Sequence, residues 1–192
     1  MIYVKYALMA VFSLLLTVVA YIIAPVLPLF ARNEEGSILN GTDRGVGPRL
    51  PKWLNWFMTP DNSLDGDEGW QKEHWQWRFK FPPKVASYIG QVGWLWRNPA
   101  YSYGMKYIDG YSEVYYSGNP TIKDNDGAKE GSVIVKVAGL FQYTYVKRIG
   151  STSRCFYVNF GWNIRALIEP SNRRKEYRAT FVFSPRISGF RP

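Results

Sequence analysis

The chain has 192 residues, 17% of them aromatic and 20% charged, with a formal net charge of +9. So many rings with so few charges exclude a disordered, solvating chain, and the length gives room for one ordinary domain plus a tether. The single cysteine, Cys155, excludes an internal disulfide and a multi-cysteine metal centre.

Charge is spread unevenly. Residues 1–32 carry +2 and residues 33–130 carry −2, while residues 131–192 carry +9 from eleven basic and two acidic groups. The last third therefore favours anionic partners such as lipid headgroups or nucleic acid, with a solvated basic face as the plain alternative.

From Tyr6 to Phe30 there is no charged residue. Crossing hydrocarbon takes about 20 residues at a rise of about 1.5 Å each, so this run is long enough with some tilt. Its fourteen Leu, Ile, Val and Phe residues favour insertion by roughly 4–8 kcal/mol as an upper bound. Pro25 and Pro28 end or kink the helix near its far interface, where missing hydrogen bonds cost least. A cleaved signal has a shorter apolar core and an Ala-x-Ala-like exit, which Leu29-Phe30-Ala31-Arg32 fits poorly. Residues 1–32 therefore read as a retained single-pass anchor. Lys5 precedes it, whereas Arg32, Arg44, Arg49 and Lys52 follow it. That imbalance predicts a cytoplasmic C-terminal domain, and the lack of disulfides agrees.

Residues 33–49 are Gly-rich and polar and read as a flexible linker. Residues 50–192 form the soluble, aromatic-rich domain. Within its first part, 50–110, Pro51 suits a first helical position and Trp53, Leu54, Phe57 and Met58 share one helical face. The run Trp75–Phe81 alternates aromatic with polar and predicts a strand, stopped by Pro82-Pro83. Residues 84–97 predict a short helix, with Val85, Tyr88, Ile89, Val92 and Trp96 on one face. After residue 110 the texture changes. Short β-branched and aromatic segments near 113–117, 132–139, 141–149, 154–160, 162–168 and 177–184 are separated by turn signals. The predicted fold is mainly β with a few helices, an α+β arrangement: one transmembrane helix, then an antiparallel meander forming a sandwich or a partly open barrel.

Chemistry has one main candidate. In Asp61-Asn62-Ser63-Leu64-Asp65-Gly66-Asp67, oxygen side chains at alternate positions and a glycine at the sixth match the front half of a calcium loop. The back half departs from it, because Lys72 stands where a bidentate Glu belongs. Asp61, Ser63, Asp65 and Asp67 are thus candidate Ca²⁺ ligands, and an acidic turn capping its own amides is the alternative. The second acidic turn, Lys123–Gly127, reads as a hairpin turn. His74 is the only histidine and has no nucleophile elbow to serve, so it reads as an ordinary packed or surface residue. No phosphate loop or dinucleotide fingerprint occurs. Candidate surface residues for a partner or a membrane are Trp53, Trp56, Phe57, Trp94 and Trp96, with Arg173, Arg174 and Lys175. The basic, aromatic C-terminal third could also stack single-stranded nucleic acid. A lipid surface is the favoured partner, since a tether already brings the domain there.

The stretch Leu50-Pro-Lys-Trp-Leu-Asn-Trp-Phe-Met-Thr-Pro-Asp-Asn-Ser-Leu-Asp-Gly-Asp-Glu-Gly-Trp70, with Trp96-Arg-Asn-Pro-Ala-Tyr101 and Phe160-Gly-Trp-Asn163, resembles a family of small uncharacterised, membrane-anchored proteins encoded in tailed-bacteriophage genomes. The resemblance implies a phage acting on a bacterial host and supplies no catalytic residue. The expected function is a non-catalytic accessory protein at the host inner membrane, binding a host or phage protein or the membrane surface. The alternatives are a virion or assembly component that inserts into the host membrane, and a metal-dependent hydrolase built on Asp61–Asp67.

Overall fold

A computed structural model of the chain describes residues 2–34, 38–39, 42–43, 47–74, 80–122 and 129–190. The fold is α+β, and it divides into two compact units: Met1–Ala10 with Gly104–Pro192, and Val11–Tyr103. The helix α1 (Ile2–Ile23) contributes to both.

In the Val11–Tyr103 unit, α1 is followed by a 3-10 turn at Leu27–Phe30. The strands β1 (Arg32–Glu34) and β4 (Gly47–Arg49) then pair antiparallel, with Arg32 opposite Arg49. Between them β2 (Ile38–Leu39) pairs with β3 (Thr42–Asp43). These ladders fall within residues 33–49, read from composition as a linker, of which 33–34, 38–39, 42–43 and 47–49 are among the described residues. A second 3-10 turn spans Lys52–Phe57, followed by α2 (Glu68–His74) and α3 (Pro83–Arg97). Leu16, Ala20, Ala24 and Leu27 gather with Leu50, Leu54, Phe57, Leu64, Val92 and Leu95 in one core.

Two predicted faces change. In the Lys52–Phe57 turn the period is three, not 3.6. Leu54 and Phe57 therefore share the buried side, while Trp53 and Trp56 share the exposed one. The helix predicted over 84–97 is present, yet its packed residues are Ala86, Val92, Trp94 and Leu95, and Val85, Tyr88 and Trp96 are exposed. Residues 75–79 of the predicted strand Trp75–Phe81, and the turn at 123–127, lie outside the described residues.

In the other unit, β5 (Lys106–Ile108) pairs with β10 (Tyr177–Ala179). The main sheet contains β6 (Val114–Gly118), β7 (Gly131–Val137), β8 (Leu140–Arg148), β9 (Arg154–Trp162) and β11 (Phe181–Gly189), ordered β11-β9-β8-β7-β6 and antiparallel throughout. It is an open meander with two edges and not a closed barrel. Ala138 and Gly139, both at positive φ, make the two-residue turn from β7 to β8. Pro185 lies on the edge strand β11, where a missing amide is tolerated. The predicted strand at 162–168 is instead the end of β9 and a 3-10 turn, Arg165–Ile168.

The two faces of this sheet follow from its register. Val133, Thr144 and Asn159 are cross-strand neighbours on the fully buried face. There the Gln142 side chain accepts from the amides of Ile164 and Arg165 at 2.8 and 2.7 Å and donates to Asn159 Oδ1 at 2.9 Å. A buried amide with both ends satisfied fixes where the 3-10 turn meets the sheet. On the opposite face Phe141, Trp162 and Phe181 surround Tyr6 of α1 at ring-centroid distances of 5.1, 5.8 and 5.2 Å, and the Tyr6 hydroxyl donates to the Val182 carbonyl at 2.7 Å.

Candidate membrane-contacting surface

The helix α1 carries two stripes of different size. Ala10, Ser13, Thr17, Ala20 and Ala24 recur every three or four residues and lie on its protein side, buried or half-buried. Small side chains let a helix backbone approach its neighbours closely. Val4, Leu8, Val11, Leu15, Val18 and Ile22 recur at the same spacing on the outer side, from 59% exposed at Val18 to 71% at Ile22. A helix packed onto a water-soluble core buries its large apolar residues and exposes polar ones. Here the buried side is mostly small, with Tyr6 and Leu16 as its large members, and the outer side is large and apolar instead of polar. An exposed apolar surface of this extent marks a binding or lipid-contacting face. The helix is also long and apolar enough to cross a membrane, with a mean hydropathy of 2.4 over its best window.

The end of α1 is finished by side chains of α3. Pro25 has no N–H, so the Tyr21 carbonyl loses its ordinary helical partner. The Trp96 indole donates to that oxygen at 3.0 Å. In the tighter turn that follows, Pro28 likewise leaves the Pro25 carbonyl without an amide, and the Tyr88 hydroxyl donates to it. Both rings remain more than a third exposed. Nearby, Trp56 lies 6.4 Å from Phe12 and Trp53 lies 5.9 Å from Phe30, both edge-on. Trp53, Trp56 and Trp96 thus stand in the open beside α1, as amphipathic rings do at a water–lipid boundary.

Two of the five predicted surface aromatics are elsewhere. Trp94 is 4% exposed and packs 5.9 Å from Trp70, on the inner side of α3. Gly66, at φ +80°, lies against both rings, and a Cβ there would come within 2.6 Å of Trp70. Phe57 is buried because the three-residue period of its turn pairs it with Leu54. Of the three basic residues, Arg174 and Lys175 are exposed. Arg173 instead donates to the Leu167 carbonyl at 3.0 Å.

Much of the C-terminal positive charge is engaged within its own unit. The Arg148 guanidinium donates to the Ser151 and Thr152 carbonyls, Arg165 reaches the Pro120 carbonyl, and Arg186 lies 4.6 Å over the Tyr157 ring. Glu130 accepts from the Arg148 amide and pairs with Lys147 at 3.2 Å. Those contacts hold its carboxyl below the usual carboxylate range.

The acidic loop is organised by local bonds. Asp67 Oδ1 accepts the Trp70 amide at 2.7 Å and caps α2. Ser63 Oγ accepts the Asp65 amide, and Asp65 Oδ1 accepts from Gln91 Nε2 at 3.0 Å. Asp61 lies beside the Asn62 amide. Among the described residues no three His, Cys, Asp or Glu side chains converge as a metal site would require. His74 stacks 3.7 Å from the Trp70 ring and its Nδ1 is 2.9 Å from the Trp70 carbonyl. A cleft of about 450 Å³ opens beside Asp65, Trp70, Gln71 and His74, and these side chains already bond to one another's segments.

Sequence reasoning missed two features. Arg49, counted as a topological charge, is 7% exposed and donates to the carbonyls of Thr59, Pro60 and Asn62. It ties the loop ahead of α2 to β4. The paired small and large stripes of α1 were visible as spacing in the sequence, but uniform hydrophobicity conceals which stripe faces the protein.

These features define a class: an α+β protein with an open antiparallel sheet and an apolar N-terminal helix that carries an outward stripe of large apolar residues. The chain belongs to a family of unknown function, DUF7338, whose model matches residues 1–188. No curated protein and no solved structure matches it.

Proposed function

We propose that this chain is a membrane-attached binding protein without catalytic activity, held on a bilayer by α1 and presenting the domain beside it to a protein partner. The single observation that supports this reading is the outward stripe of Val4, Leu8, Val11, Leu15, Val18 and Ile22, opposite a stripe of small residues that packs inward. Burying such side chains in lipid stabilises attachment by roughly 25 cal/mol per Å² of apolar surface. The exposed Trp53, Trp56 and Trp96 supply rings suited to the headgroup region, and Arg174 and Lys175 suit an anionic leaflet. With the resemblance to phage-encoded proteins, the setting is the inner membrane of a bacterial host, with the domain on the cytoplasmic side and a host protein as the partner that it occupies.

Flotation of the full chain with vesicles of phosphatidylcholine and phosphatidylglycerol tests attachment. The protein is expected to rise with the vesicles and to remain there in high salt, since apolar burial is not screened. Recovery in the soluble fraction would remove the reading. Crosslinking in host membranes tests the partner, and recovery of lipid alone argues against a protein-binding role.

A further inference from the structure

We infer that α1 lies in the plane of one leaflet and does not cross the bilayer, so that both ends of the chain stay on the same side of the membrane. This rests on the attachment proposed above and states its geometry.

Each unit constrains α1 separately. In the first, residues 2–10 of α1 lie on the main sheet, with Tyr6 among Phe141, Trp162 and Phe181 and its hydroxyl bonded to the Val182 carbonyl of the edge strand β11. A crossing helix would draw that open sheet edge to hydrocarbon depth, where unpaired backbone groups cost several kcal/mol each. In the second unit, the middle of the helix has the 3-10 turn Lys52–Phe57 beside it, through the contact of Phe12 with Trp56. That turn is 3-10 and exposes Asn55, next to Trp56. A crossing helix would take this polar side chain and the short turn that carries it to hydrocarbon depth, where unsatisfied polar groups cost several kcal/mol each. The last turns have the same constraint, because the half-exposed Trp96 and Tyr88 bond to their carbonyls from α3.

Only the outer side of α1 is then left for lipid. From Val4 to Ile22 it extends about 27 Å at about 1.5 Å per residue, a length that suits a helix lying about 5–10 Å deep at the headgroup boundary. The exposed apolar face also includes Phe12, Leu14 and Val19. It is wider than the two-in-seven seam of a helix pair, which favours a fluid leaflet over a second copy as its occupant.

The test uses the full chain carrying a short epitope tag at each end, expressed in bacteria, with protease applied to spheroplasts and to inverted membrane vesicles. Both tags are expected to be protected in spheroplasts and both cleaved in inverted vesicles. Opposite fates for the two tags, with the protein still in the membrane fraction, would overturn the in-plane geometry and leave attachment standing. Loss of the protein from the membrane fraction would overturn attachment itself. The Leu15→Asp variant, altered at an outward and exposed position, is expected to reduce vesicle-bound protein at least tenfold without shifting the melting temperature. An unchanged bound fraction would count against lipid contact by this stripe.

Discussion

The Trp96 indole donates to the carbonyl of Tyr21 across 75 positions of sequence, at 3.0 Å. It fills the bond that Pro25 cannot make. Proline thus does not merely stop α1; it frees an acceptor that attaches α3 to the helix end.

Trp96→Phe keeps the ring and removes the donor, and it is expected to lower stability by about 1 kcal/mol, or about 2–4 °C in melting temperature for a domain of this size. Pro25→Ala restores an amide at the same carbonyl. In that background the cost of Trp96→Phe should shrink, and thermal melts of the four variants measure the coupling. Strictly additive costs would show that the two groups do not share the Tyr21 oxygen.

Tyr6 combines a buried ring with one hydrogen bond. Tyr6→Phe should cost about 1 kcal/mol and Tyr6→Ala about 3–5 kcal/mol, since the cavity would be lined by Phe141, Trp162 and Phe181. Urea melts of full-length protein in detergent distinguish the two.

Gly161 has φ +111°, and a Cβ there would come 2.1 Å from the Phe141 carbonyl oxygen of the neighbouring strand. Neither strand can withdraw without breaking the ladder between β8 and β9. Gly161→Ala is expected to destabilise by more than about 3 kcal/mol and to appear as lost soluble-domain signal in circular dichroism. Gly139→Ala meets no atom within 4 Å and should cost less, through backbone strain alone.

Asp67 serves α2 through its bond to the Trp70 amide. Asp67→Ala should cost about 1 kcal/mol and Asp67→Asn much less, because Asn also caps. If the loop acts only as a cap, millimolar calcium leaves the melting temperature of the native chain unchanged. A calcium-dependent rise lost in Asp65→Ala would instead make it a metal site.

Cys155 is fully buried, and burial raises its thiol pKa above the usual range. The folded state therefore favours the protonated thiol. Its contribution to stability is complete below the unfolded thiol pKa of about 8.5 and is lost as pH rises through the folded value. Alkylation by iodoacetamide at pH 8 should be slow in the native chain and rapid in denaturant, read by intact mass. Fast native labelling would contradict the buried setting.

Local patterns were legible wherever one short-range rule decided the outcome. The charge-free run at the N-terminus could only be helical, with Pro25 as its limit, and four β-branched segments after residue 110 became β6, β7, β8 and β9 at nearly the expected bounds, while the segment expected at 177–184 is divided between β10 and β11. Residues 162–168 failed because the Gln142 side chain takes the Ile164 and Arg165 amides that a strand would have offered a neighbour. Facing failed more often than existence. Phe57 and Trp94, both expected on the surface, turn inward, because a 3-10 period and contact with Trp70 outweigh a helical wheel. The sequence by itself determined that residues 6–30 are an apolar helix and turn, that no disulfide braces the chain, and that the part after residue 110 is built on antiparallel strands. Only the tertiary structure decided that Ala10, Ala20 and Ala24 of α1, with Tyr6 and Leu16, face protein and that Val4, Leu8, Val11, Leu15, Val18 and Ile22 face outward. From Tyr6 onward no position of that helix is charged, so hydrophobicity carries little direction, and close packing around Tyr6, Ala20 and Ala24 supplies it.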